Sequence, residues 1–260
     1  MLGQGHRAPP GLNTPFTREN CTVARLTSRE RSLRAHAPPG VRPDQDRLHQ
    51  PAGHHLTDPV TVTLSAEAMQ GLASAARRRG ATISHALVAA LAEAVSSVTG
   101  ATDMVIGVLV ANRGHPTLAD AVTCSLDAVS LRLRGCGQGL DATVTECRTE
   151  MTDALSNQDL PLPEVTRLLG AGDGRGRPPH DLLFVLQNRP APVLSTGGLP
   201  VQVFQPTSRE MVAEARLESD GGATMALLHA NRPGFQEMAE WIAEALAGVV
   251  RAATAGSAVE

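Results

Sequence analysis

The sequence predicts an α/β fold, a two-layer sandwich in which helices pack on a mixed sheet. Three observations lead there. Residues 103–113, DMVIGVLVANR, form a near-continuous apolar run of the kind that fills a buried central strand. Around it, segments of period two alternate with segments of helical period. The core must also be aliphatic, because the 260 residues include four Phe, one Trp and no Tyr.

The elements follow in order. Residues 1–56 are read as a low-complexity, flexible N-terminal arm, since 1–58 hold seven of the 18 prolines, eight arginines and five of the nine histidines, with no sustained period. A folded domain is expected over 57–252, followed by a disordered tail at 253–260. VTVTLS (60–65) alternates like a strand, and Ser65 then caps a helix that carries Glu67 in its first turn and runs to Gly80. Thr82 or Ser84 caps a second helix, whose apolar face is Leu87, Leu91, Ala94 and Val98 and which Gly100 ends. After the buried run, 128–134 (AVSLRLR) reads as another strand. Leu140, Val144, Cys147, Met151 and Leu155 keep helical spacing until Pro161 and Pro163. HDLLFVLQN (180–188) is a strand, further strands are expected near 199–205, 211–218 and 223–230 with a hairpin turn at Gly221-Gly222, and an amphipathic helix runs from Phe235 to Val250.

Composition narrows the function. The net charge is −3 and all 23 basic residues are Arg, so no whole-protein field favours nucleic acid. The longest basic run, Arg77-Arg78-Arg79, reads as a solvated helix end that suits the helix dipole. No signal peptide and no membrane span is expected, which points to a reducing cytoplasm with Cys21, Cys124, Cys136 and Cys147 as free thiols. No His, Cys, Asp or Glu group has metal-ligand spacing, so no metal is expected. His85, His115, His180 and His229 have no Ser, Cys or carboxylate at triad-like spacing and are read as capping or surface residues.

The order of motifs carries a resemblance. VTGATDMVIGVLVANRGHP contains a helix-ending turn, a buried strand and the loop Ala111-Asn112-Arg113-Gly114-His115-Pro116. DAVSLRLR (127–134), SNQDLPLPEV (156–165) and RGRPPHDLLFVLQN (175–188) follow at the expected distances. Together they resemble the C-terminal lobe of a nonribosomal peptide synthetase condensation domain, a member of the chloramphenicol-acetyltransferase-like superfamily, over about 57–250. The resemblance implies a single lobe of that fold. It places Arg113, Asp127, Arg132, Asn157, Gln158, Asp159, Gln187 and Asn188 in the substrate-tunnel and structural motifs.

The family's reaction, as the resemblance implies it, is amide-forming acyl transfer between substrates carried on phosphopantetheine arms. The catalytic His-His-x-x-x-Asp-Gly motif belongs to the other lobe. His54-His55-Leu56-Thr57-Asp58 approaches it but is one residue short and lies in the lead-in, so His54, His55 and Asp58 are only weak catalytic candidates. Asp127, Ala128 and Ser130 stand where the family usually has Asn, Thr and Pro, and Leu162 where it has Phe. The expected role is a truncated or stand-alone C-lobe in nonribosomal peptide biosynthesis. It would bind no cofactor of its own, and would recognise a peptidyl or aminoacyl carrier protein or else complete a condensation site with a partner, either a separate N-terminal lobe or a second copy of the chain. The alternatives are an acyltransferase active as a homo-oligomer and a nonfunctional synthetase remnant.

Overall fold

A computed structural model describes residues 59–112, 125–158, 162, 165–166, 180, 182–188, 195–196, 199–200, 211–229 and 234–257. The first strand, β1 (Val60–Leu64), leads into helix α1 (Ala66–Arg78). Ser65 caps that helix as the sequence predicts, its hydroxyl accepting the Ala68 N–H at 3.2 Å. Helix α2 (Ile83–Thr99) starts at Thr82, whose backbone N–H donates to His85 Nδ1 at 2.9 Å, and it ends at Gly100 in the left-handed region, φ 74°. Strands β2 (Met104–Val110) and β3 (Asp127–Leu133) pair antiparallel, and helix α3 (Leu140–Leu155) follows.

The remaining elements are β4 (Leu182–Gln187), the two-residue strands β5 (Ser195–Thr196) and β6 (Leu199–Pro200), β7 (Met211–Leu217), β8 (Ala223–His229) and helix α4 (Phe235–Ser257). β7 and β8 form the hairpin expected at Gly221-Gly222. Of the strand expected near 199–205, residues 201–205 lie outside the described residues.

Among the described residues, six strands form one mixed sheet in the order β1-β8-β7-β4-β2-β3, while β5 and β6 pair with each other. Its centre is parallel, β2 with β4 and β4 with β7. Antiparallel pairs close both sides, β3 on β2 and β8 and β1 beyond β7. Alternate residues of the strands in this sheet are buried, Ile106, Leu131, Phe184, Ala213 and Leu227 fully so, and share one apolar cluster with the helices. Phe184 and the Leu and Ile side chains of this layer contribute about 1.5–3 kcal/mol each by leaving water.

Helix α2 occupies the middle of the helical layer, against α1, α3 and α4. The single apolar face predicted for it is therefore too narrow a description. Ala86 through Ser96 are all buried, Glu93 included, because neighbouring helices cover the flanks that a surface helix would expose. Among the described residues no single helix is long and apolar enough to cross a membrane; α1 and α2 together reach that length but meet at 105°.

Helix α4 corrects the predicted boundary. It continues past Val250 to Ser257, so residues 253–257 are helix rather than tail. Ala253 packs against the core, and a Cβ on Gly71 of α1 would lie 3.0 Å from the Thr254 backbone, so the two helices approach closely there. The sequence pattern loses its large apolar residues after Val250, which hides an extension held by small-residue packing.

Candidate functional site

Parallel strands place their carboxyl ends together, and in open α/β sheets that end collects ligand sites. Here the ends of β2 and β4 carry Ala111-Asn112 and Gln187-Asn188. Asn112 has φ 47°, a left-handed turn that takes the chain away from β2, and Ser125 donates its hydroxyl to the Ala111 carbonyl at 2.8 Å on the return. β3 begins at this same end, where Asp127 pairs with Val110.

The Asp127 carboxylate is occupied by backbone groups. Its Oδ1 accepts the Ala128 N–H at 2.8 Å and the Leu162 N–H at 3.4 Å. It thereby holds the segment after α3 to the start of β3. At the end of α3, the Asn157 amide donates to the Asp153 carbonyl at 2.7 Å, and the Gln158 N–H donates to Leu155 at 3.4 Å. This turn is half-buried and delivers the chain toward Leu162, which is buried with Thr166 and Val165.

Topology thus gathers Asp127, Gln187 and Asn188 at one end of the sheet and ties the Asn157-Gln158 turn to it through Leu162. Arg132 is not part of that group. It lies across from Val105, near the opposite end, and grips Asp103 with two bonds of 2.9 and 2.7 Å. The two side chains are 25% and 30% exposed, so this bidentate pair anchors the start of β2. Arg113, Asp159, His54, His55 and Asp58 lie outside the described residues.

The face of the sheet away from the helices carries groups that the sequence did not single out. Ser130, Gly107, Leu183 and Val212 form one row across β3, β2, β4 and β7. His180 sits on this face, 2% exposed, with Nδ1 3.1 Å from the Ser130 hydroxyl. A Cβ added to Gly107 would fall 2.4 Å from the His180 ring, so the bare glycine makes room for the imidazole. His180 and His229 are both buried, which corrects their reading as capping or surface residues. The fifty-residue separation of Ser130 and His180 left no local motif, and only the pairing of β2 with both β3 and β4 brings them together.

Two further groups were missed. Glu93, buried in α2, accepts the Gly137 N–H at 2.9 Å and the Thr143 hydroxyl, tying the turn after β3 to the central helix. Glu146 of α3 accepts the N–H groups of Arg134 and Gly135 at 2.7 and 3.1 Å. Beside them, burial pushes the Cys136 thiol up to about 12, with Glu146 adding to the effect, and burial next to Cys136 raises Cys147 as well.

Known proteins agree on what this arrangement is. A family model described as "Condensation domain" matches residues 42–216, more than half of the chain. In the plipastatin synthase of Bacillus subtilis (strain 168), one polypeptide is 31% identical over 145 residues, which is 55% of this chain and 6% of that protein. The condensation domain of the monacolin K polyketide synthase MokA superposes with a TM-score of 0.61 at 16% identity, covering 86% of this chain and 58% of that one. The X-domain solved in complex with OxyB from teicoplanin biosynthesis gives a TM-score of 0.65 at 20% identity, covering 86% and 52%. The chain therefore spans about half the length of such condensation folds and a small part of the synthetase. The chloramphenicol-acetyltransferase-like sandwich expected from the sequence is the fold found. By its sheet, its helical layer and its match to the family model, this chain belongs to the condensation-domain family.

Proposed function

We propose that this chain is the C-terminal lobe of a condensation domain in nonribosomal peptide biosynthesis. It recognises substrates borne on the phosphopantetheine arm of a peptidyl or aminoacyl carrier protein. It completes a condensation site with a first lobe supplied by another chain or another segment. The observation that carries this reading is the coverage: the superposition takes in 86% of this chain but 58% of the condensation domain it is laid on.

The carboxyl end of the parallel strands supports the assignment of a substrate wall there. Asp127, Gln187 and Asn188 share that end, and the Asp127 bond to Leu162 fixes the loop beside it. The X-domain neighbour, solved with OxyB, gives a precedent for a condensation fold that docks another protein.

The test is a titration of the purified chain with carrier protein in its phosphopantetheinylated and unmodified forms, with mass recorded at each point. Saturable micromolar binding that requires the arm is expected. A folded chain that binds neither form would overturn the carrier-recognition reading. A condensation assay with an added first lobe then tests completion of the site.

A further inference from the structure

The pair formed by Ser130 and His180 is not needed for that reading, and it has a chemistry of its own. A serine hydroxyl is a poor nucleophile until a base takes its proton. His180 presents Nδ1 to the Ser130 hydroxyl at 3.1 Å, and when the ring proton sits on Nε2, Nδ1 accepts that hydrogen bond. The ring is 2% exposed while Ser130 is half-buried, so the base lies behind the nucleophile rather than in front of it.

Backbone geometry holds the base in place. The Cδ2, Nε2 and Cε1 atoms of His180 lie over Gly107, where any side chain would collide. Gly107 is the direct strand partner of Ser130, so one strand position seats the ring and the next presents the hydroxyl. Beyond Gly107 the row continues through the apolar side chains Leu183 and Val212, on the far side of the ring from the hydroxyl. We propose that Ser130, with His180 as its general base, is an acyl-accepting nucleophile that takes acyl groups from thioesters.

The step balances without a further reagent. Ser130 Oγ attacks the thioester carbonyl while its proton passes to His180 Nδ1. The carbon–sulfur bond breaks, and the imidazolium returns the proton to the departing thiolate. The products are an ester on Ser130 and a free thiol.

The thioester class rests on the condensation-domain reading, but the test uses no carrier, so its failure leaves carrier recognition standing. The full chain is incubated with S-octanoyl-N-acetylcysteamine, quenched in acid, and analysed by intact mass and peptide mapping. One octanoyl group on Ser130 is expected. Ser130→Ala should abolish it, Ser130→Cys should restore an adduct at the same peptide, and His180→Asn should slow acylation by about 100-fold or more and remove its rise with pH. Ser130→Ala removes only a hydroxyl, and circular dichroism verifies that it folds. An unmodified Ser130 in the folded wild-type chain overturns the proposal. So does an adduct that survives Ser130→Ala, or a His180→Asn chain that acylates at the wild-type rate.

Discussion

The Asp127 carboxylate accepts the backbone N–H of Leu162 at 3.4 Å, so a side chain at the start of β3 holds a segment thirty-five residues further along. Removing the acceptor leaves a part-buried N–H without this partner, a loss of about 1 kcal/mol. Asp127→Ala should lower the unfolding free energy read from urea denaturation by that amount. Asp127→Asn keeps an oxygen in place and should cost less than half as much. Equal losses for the two variants would show that charge, not the acceptor oxygen, holds the loop.

Gly107→Ala tests the close approach of His180. A Cβ 2.4 Å from the ring forces either the imidazole or the strand to move, and overpacking of this kind costs about 1–3 kcal/mol. Denaturant unfolding should record that loss. The double variant Gly107→Ala with His180→Ala should recover part of it, because the colliding ring is gone, and the two effects should not add.

His85 gives the stability curve a component of known sign. Burial lowers its pKa first, and the positive charge of Arg148 lowers it further. Its Nδ1 accepts the Thr82 N–H, which requires the neutral ring. A folded-state value below the unfolded one, about 6.5, means that this contribution is complete above pH 6.5 and is lost as the pH falls through the lowered value. The melting temperature should therefore drop between pH 7 and pH 5 by more in the wild type than in His85→Gln, which keeps a capping acceptor without the titration. Parallel curves would remove His85 from the acid response.

Cys136 and Cys147 should behave as inert core groups. Both are buried, and Cys136 is held near 12, so almost no thiolate exists at neutral pH. Iodoacetamide at pH 8 followed by peptide mapping should leave both unlabelled in the native chain and label both after denaturation. Native labelling at Cys136 would mean that the turn after β3 opens readily, and at Cys147 that α3 parts from the core.

The elements that the sequence made legible are those with local signals. Ser65 as a cap, Gly100 as a helix stop, the β2 run and the Gly221-Gly222 hairpin each need only a few neighbouring residues to be read. The rest depends on long-range placement. Glu93 sits in a largely apolar helix, and its meaning appears only when Gly137 and Thr143 arrive from the turn after β3 and from α3. The last turns of α4 are held by Gly71 and Ala253, residues too small to show a period. Motif order singled out Asp127, Gln187 and Asn188, which share one end of the sheet, whereas the Ser130–His180 contact needed the strand order itself.

That strand order also dictates when the lobe becomes whole. β1 is an edge strand whose sheet partner is β8, with Val60 opposite Leu227, and α4 packs over β1. On the ribosome the first strand emerges early and must wait for nearly the whole lobe to be synthesised before its partner exists. Pairing across so long a stretch of chain is slow to close and leaves apolar surface bare in the interval. Birth of this lobe is therefore a single late event, and nascent chains stopped before residue 229 should depend on chaperones and be cut by proteases, while those carrying α4 should not.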